Sequence, residues 1–400
     1  VSGAVVRPRV GRVTIFDTVP LEQLRRRTSE KWRHYPPDVL PLFVAEMDVP
    51  QPEPVVRAVT DAMRLGDTGY PAGTAYAEAM AAFAADRWDW TVDVAATRLV
   101  PDVMLGAVEL LRLVTDPGDA VVISPPVYPP FATFTRYADR RVLDAPLGPD
   151  GRLDLESLDR AFGAATATGA RAAYLLCHPH NPTGTLHTPA ELRAVGELAT
   201  RHGVRVVADE IHAPLVLGPG SRFVPTTTQI PDAIALHSAS KAFNLAGLRA
   251  AVAVPGPEAV DDLARLPAVV ADGVTHLGAL AQQSAYREGG AWLDEVLDGL
   301  RHNQRLVADL LTEHVPDAVW SPPEATYFAW IDLRALDPVR AGADPARLAL
   351  HRGRVAVNPG PTFGADGTGF IRLNLAASTA TLTDAVTRLA RALEGVATDS

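Results

Sequence analysis

Ser238-Ala239-Ser240-Lys241, with Arg249 eight positions past the lysine, gathers one amine, two hydroxyls and a fixed cation just after the apolar run Ala233 to Leu236. Such a lysine can condense with an aldehyde, while the hydroxyls and the guanidinium can hold a phosphate. Alone the motif is weak, because most lysines are solvated surface charges. It acquires meaning only if other groups in the chain complete a site.

Several candidates do so. Asp209 ends the run Val204 to Ala208, within Asp209-Glu210-Ile211-His212. Ligands of parallel sheets collect at the carboxyl ends of the strands, so this carboxylate is expected to face a site, though a helix N-cap explains it as well. His212 could lie beneath a ligand ring or bond to Asp209. In His178-Pro179-His180-Asn181-Pro182-Thr183-Gly184, a proline near each side of Asn181 rigidifies a short turn from which its amide can be aimed. The two histidines resemble a metal pair, but prolines on such loops usually fix the backbone; Asp209 with His212 lacks a third ligand at a recognisable spacing, and no metal is expected. Tyr128, in Pro125-Pro126-Val127-Tyr128-Pro129-Pro130, either stacks on a flat ring or packs within its loop. A helix starting at Val103 offers the amides of Val103 and Met104 to a phosphate. Asp102, just before it, is either an obstacle to that anion or the helix cap. Arg372 lies between apolar neighbours, where a bare cation is costly; a substrate carboxylate would account for it, as would a buried ion pair.

An imine-forming lysine, an acid, a phosphate cradle and a ring platform are the contacts that pyridoxal 5′-phosphate requires of a protein. Asp209 would then pair with the pyridine nitrogen, since an adjacent anion favours the protonated ring.

These residues need elements to position them. Apolar runs at Ala120 to Ile123, Ala172 to Leu176, Val204 to Ala208, Ala233 to Leu236 and Ala250 to Val254 alternate with helical patterns, which predicts an α/β domain with a mainly parallel sheet. Thr188-Pro189-Ala190-Glu191 reads as a helix start with a capping box, and Gly203 as that helix's end. Trp292 to Leu311 reads as a long amphipathic helix, Tyr327 to Ile331 and Phe370 to Leu375 as strands, and Thr381 to Leu393 as a last helix. With 400 residues, two domains are expected. The divisions are an arm over 1–48 joined to the small domain, a large cofactor-binding domain over 49–288 and a small α+β domain over 289–400.

Composition narrows the partners. A net charge of −10 argues against nucleic acid, and no basic helix-turn-helix precedes the fold, which disfavours a DNA-bound sensor. Arginines 25 to 27 form one basic run, read as a solvated helix face. The single cysteine, Cys177, rules out an intrachain disulfide and is expected at the end of a buried strand in a reducing compartment. Val1 to Phe16 does not read as a signal peptide, and no stretch approaches a membrane span, so a cytoplasmic location is expected.

In order and spacing, the tyrosine loop, Asn181-Pro182-Thr183-Gly184, Asp209, Ser238 to Lys241 with Arg249, and Arg372 resemble the fold-type I pyridoxal-phosphate enzymes of the class I/II aminotransferase superfamily. The resemblance implies Lys241 as the Schiff-base lysine, Asp209 as the pyridinium partner, Asn181 on the phenolic oxygen and Tyr128 on the ring. It implies Ser238, Ser240 and Arg249 on the phosphate, and Arg372 with Asn181 and Tyr128 around the substrate. Tyr70 is similar to a tyrosine that reaches the neighbouring subunit's phosphate, which implies a homodimer. Phe43 to Asp48, Cys177 to Pro182, Asp209 to His212, Ser240 to Leu248, and Asn358-Pro359-Gly360 look like the bacterial cystathionine β-lyase and cysteine-S-conjugate β-lyase branch. Asp102 departs from that branch's usual glycine, Glu46 from a common aspartate and Ala242 from a common threonine. The activity implied is α,β-elimination of L-cystathionine or another L-cysteine S-conjugate to thiol, pyruvate and ammonia. Lys241 would take the Cα proton. An aminotransferase, or a decarboxylating variant acting on a cysteine conjugate, is the alternative.

Overall fold

A computed structural model describes residues 13–394. Most of Val1 to Phe16, on which the signal-peptide reading rests, lies outside the described residues, as do the outermost ends of the arm and the last domain. The central sheet has seven strands: β1 (Arg98–Val100), β2 (Ala120–Ile123), β3 (Arg141–Asp144), β4 (Ala172–Cys177), β5 (Val204–Asp209), β6 (Ile234–His237) and β7 (Ala251–Pro255), in the spatial order β1-β7-β6-β5-β4-β2-β3. β2 to β6 run parallel, and β7 is antiparallel to both of its neighbours. Strand β4 shows why its sequence is apolar throughout. Ala173, Leu175 and Cys177 pack into one core and Ala172, Tyr174 and Leu176 into the other, so helices cover both faces.

The helices are α1 (Glu53–Leu65), α2 (Ala75–Trp88), α3 (Val103–Val114), α4 (Pro130–Tyr137), α5 (Leu155–Thr166), α6 (Pro189–His202), α7 (His276–Glu288), α8 (Gly290–His314) and α9 (Thr379–Leu393), besides shorter turns. In α6 the Thr188 hydroxyl accepts from the Glu191 amide while the Glu191 carboxylate accepts from the Thr188 amide, and Gly203 closes the helix in the left-handed conformation at φ 69°. A three-stranded antiparallel sheet, in the order β9-β10-β8, is formed by β8 (Phe328–Asp332), β9 (Asn358–Pro359) and β10 (Phe370–Asn374). Its apolar residues share one continuous core with α2, α7, α8 and α9.

The first described residues are tied to this second region. Phe16 is fully buried against Gly299 of α8, and the Asp17 carboxylate accepts from the Thr379 amide at the start of α9 at 2.9 Å. The basic run is not wholly solvated: Arg25 and Arg26 are exposed, but Arg27 donates to the carbonyls of Met47 and Val49. Lys31 is buried and donates to the Asp48 carboxylate at 2.6 Å and the Glu46 carbonyl at 3.1 Å. From the other side, Asn244 receives the Met47 amide and Asn374 donates to the carbonyls of Val44 and Glu46. The stretch 43–49 is thus fastened on both flanks. No described helix is long and apolar enough to cross a membrane.

Candidate active site

Because β2, β4, β5 and β6 are parallel, the segments that follow them emerge at one edge of the sheet. The segments after β2, β4 and β6 hold Tyr128, Asn181 and Lys241, β5 itself ends in Asp209, and the N-terminus of α3 joins them. Together they line a cleft of about 240 Å³. Nine of the singled-out residues border it: Lys241, Asp209, Asn181, Tyr128, His212, Ser240, Arg249, Val103 and Met104.

Burial tunes the titratable groups. Asp209 is pushed up to about 6 by desolvation, opposed by the Ile211 amide that its carboxylate accepts at 3.1 Å and by Lys241. Lys241 is pushed down to about 8 by desolvation and the Arg372 charge, with Asp209 opposing. A lysine in that range is available as a base near neutral pH, which an ordinary one at about 10.4 is not. The Lys241 ammonium points toward the Ala45 carbonyl at 3.4 Å. Burial also raises the Tyr128 phenol, against the pull of Arg372.

Arg372 is buried, and burial lowers it to about 10. Its guanidinium donates to Asn181 Oδ1 at 2.9 Å, to Asn358 Oδ1 at 2.7 Å and to the Phe43 carbonyl at 3.1 Å. It lies over the ring of Phe328 at 4.1 Å and that of Phe363 at 4.9 Å. Among the described residues no carboxylate pairs with it, so the ion-pair explanation of its burial does not hold. A buried cation surrounded by neutral acceptors and aromatic faces is set to receive an anion from outside. The bond from Arg372 commits Asn181 Oδ1 as an acceptor and leaves Nδ2 as that amide's donor.

The histidines are placed differently from one another. His178 Nε2 meets the Val224 carbonyl and His180 Nε2 the Pro126 carbonyl, so these rings tie loops together. No described group of three or more His, Cys, Asp or Glu residues is arranged to hold a metal. His212 stands edge-on to Tyr327 and Phe328 with its buried Nδ1 unpartnered, and the Asp209 carboxylate is bonded to the Ile211 amide and not to this ring.

Three candidate residues are not on the cleft wall: Arg372, which reaches it through Asn181, and Ser238 and Tyr70. Ser238 is buried, and its hydroxyl bonds to Gln282, the Ala250 carbonyl and Ser240 Oγ. Tyr70 is 84% exposed in this single chain. Asp102 is the N-cap of α3, its carboxylate accepting from the Leu105 amide at 2.9 Å and contacting the Arg249 guanidinium.

Sequence reasoning missed Gln282. Fully buried on α7, it accepts from Ser238 Oγ, the Ala239 amide and the Tyr76 hydroxyl, and donates to the carbonyls of Leu248 and Ala250. It therefore clamps both ends of the Lys241 loop from a helix more than thirty positions away. Nothing in its local sequence signals this. Cys177 ends β4 as expected and also borders the cleft, with Ala45, Phe134, Ile211 and Ala246.

The sequence model of the aminotransferase class I and II family matches residues 37–389. A Mycobacterium leprae protein, provisionally named a cystathionine β-lyase, is 51% identical over 94% of this chain and 98% of its own length. The cystathionine β-lyase of Corynebacterium glutamicum is 33% identical over 93% of this chain and 99% of its own. The crystal structure of a pyridoxal-phosphate-bound C–S lyase from Staphylococcus hominis superposes with a TM-score of 0.82 at 25% identity, covering 92% of this chain and 96% of that one. The fold is that of the fold-type I pyridoxal-phosphate enzymes.

Proposed function

The chain belongs to the aminotransferase class I and II family, and on that premise we propose that it is a pyridoxal-phosphate-dependent carbon–sulfur β-lyase. Its substrate would be L-cystathionine or another L-cysteine S-conjugate. The observation that carries the reading is that Lys241 and Asp209 line one cleft, while the buried Arg372, which has no carboxylate partner among the described residues, is bonded to Asn181 in the wall of that cleft.

The donor set fits the cofactor. Lys241 supplies the amine for its aldehyde, Asp209 the anion for its ring nitrogen, Tyr128 a ring face and Asn181 Nδ2 a donor for its phenolic oxygen. Ser240, Arg249 and the amides of Val103 and Met104 would hold its phosphate, with Ser238 supporting Ser240 through the bond between their hydroxyls. When bound, the cofactor supplies an electron sink for the bond broken at the substrate's Cα. Arg372 would take the substrate carboxylate and so orient the amino acid. Lys241 would remove the Cα proton; its lowered proton affinity suits that role. Loss of the β-thiolate then needs no further acid, because a thiolate leaves readily near neutral pH.

Elimination is favoured over transamination by the names of the relatives, since both reactions use the same residues up to proton removal. Tyr70 on its exposed loop, with Met63 and Leu65 exposed nearby, supports a homodimer in which Tyr70 serves the partner's site. The test is to incubate the purified protein separately with L-cystathionine and L-alanine. Pyruvate and free thiol formed from L-cystathionine without any added 2-oxo acid acceptor is the expected result. Dependence of turnover on an added 2-oxo acid would instead establish an aminotransferase.

A further inference from the structure

Asp102 occupies an unusual place for an anion. It caps the first turn of α3, which opens with Val103 and Met104, contacts the Arg249 guanidinium, and lines the same cleft as these residues and Ser240. One carboxylate oxygen accepts from the Leu105 amide at 2.9 Å and the other contacts Arg249. The fixed cation that makes this corner attractive to a phosphate is thus already paired with a carboxylate of the same protein, and that carboxylate also places its negative charge at the helix N-terminus, bonded to the Leu105 amide.

We propose that Asp102 is an internal competitor for the cofactor's phosphate and sets how tightly this protein holds its cofactor. The inference rests on the reading that the phosphate docks against Ser240, Arg249 and the start of α3. If so, an incoming phosphate meets Asp102 in one of two ways. Either the carboxylate gives up Arg249 and loses its contact there, or it stays and two anions share one guanidinium. Both routes subtract from phosphate affinity, and neither affects the rest of the cofactor. An asparagine at this position keeps an oxygen for the Leu105 amide but removes the charge.

The experiment compares full-length apoprotein of wild type, Asp102→Asn, Asp102→Ser and Arg249→Gln in spectrophotometric titrations with pyridoxal 5′-phosphate and with pyridoxal, which lacks the phosphate. Thermal melts of the apoproteins run alongside. The expected result is that both Asp102 variants bind pyridoxal 5′-phosphate about tenfold more tightly or better, a change of about 1.4 kcal/mol. Pyridoxal affinity and apoprotein melting should stay unchanged. Unchanged or weaker binding of pyridoxal 5′-phosphate by Asp102→Asn and Asp102→Ser overturns the inference, since Asp102 would then orient Arg249 instead of competing for it. Equal tightening toward pyridoxal overturns it too, because the effect would not act through the phosphate. The Arg249→Gln variant separates this from the underlying reading. If it keeps the full preference for the phosphorylated cofactor, the phosphate is held elsewhere and the reading of the site fails as well.

Discussion

Replacing Lys31 by methionine removes one member of a buried ion pair and leaves the rest of the chain intact. The Lys31 and Asp48 side chains are 0% and 2% exposed, and 2.6 Å separates their charged atoms. Burial pushes the Asp48 carboxyl up from the ordinary range, and Lys31 is the main influence holding it down. Loss of one partner from such a pair costs about 3–5 kcal/mol, because the remaining charge has neither water nor counter-ion. The Glu46 carbonyl loses a donor as well, for about another 1 kcal/mol. The pH dependence follows from the sign of the shift. In the variant the folded-state pKa of Asp48 rises further, while the unfolded value stays near about 3.9. Between those values the folded chain binds the extra proton, so stability falls as pH rises and the deficit is largest in alkaline solution. Urea midpoints of wild type, Lys31→Met and Lys31→Met with Asp48→Asn, measured at about pH 8 and about pH 5, test this. The deficit should shrink toward pH 5, and the second substitution should restore part of the loss at pH 8. A deficit that is the same at both pH values and is not relieved by Asp48→Asn would refute the reasoning. The consequence reaches the cleft, since the stretch anchored by Lys31 presents the Phe43 carbonyl to Arg372 and the Ala45 carbonyl to Lys241.

Two further outcomes are expected. Arg372→Lys loses the planar fork that spans Asn181 and Asn358, so the amino-acid KM should rise by about a hundredfold, or about 2–3 kcal/mol, while the absorption of bound cofactor persists; an unchanged KM would remove Arg372 from the substrate. Gly184→Ala should destabilise by about 2–3 kcal/mol, because the position sits at φ 71° and a new Cβ would overlap Pro323 and lie 2.6 Å from the Ala325 carbonyl oxygen. A urea midpoint equal to that of wild type would contradict this.

Five of the seven strands of the main sheet were legible as continuous apolar runs, because a strand buried on both faces leaves no room for polar residues. The other two were not. β1 and β3 are the edges of the sheet, and Arg98 and Arg141-Val142-Leu143-Asp144 keep polar residues where one side meets solvent. The reversed direction of β7 also escaped notice, although a hint was present: the stretch between β6 and β7 carries the lysine motif and no helical pattern. A parallel return needs a crossover, usually a helix, whereas an antiparallel one does not.

The types and order of the reactive residues, and the strand ends that carry several of them, are properties of the chain itself. Strand periodicity and the position of a residue just past an apolar run are local, so Asp209, Asn181, Tyr128 and Lys241 could be named without coordinates. What those side chains touch was decided by packing between distant segments. That Arg372 has neutral partners rather than a carboxylate, that Gln282 clamps the lysine loop, and that Asp102 reaches Arg249 all depend on contacts across more than thirty positions of chain. Such contacts are specified by the shape of the whole core and leave no periodic trace in the residues that make them.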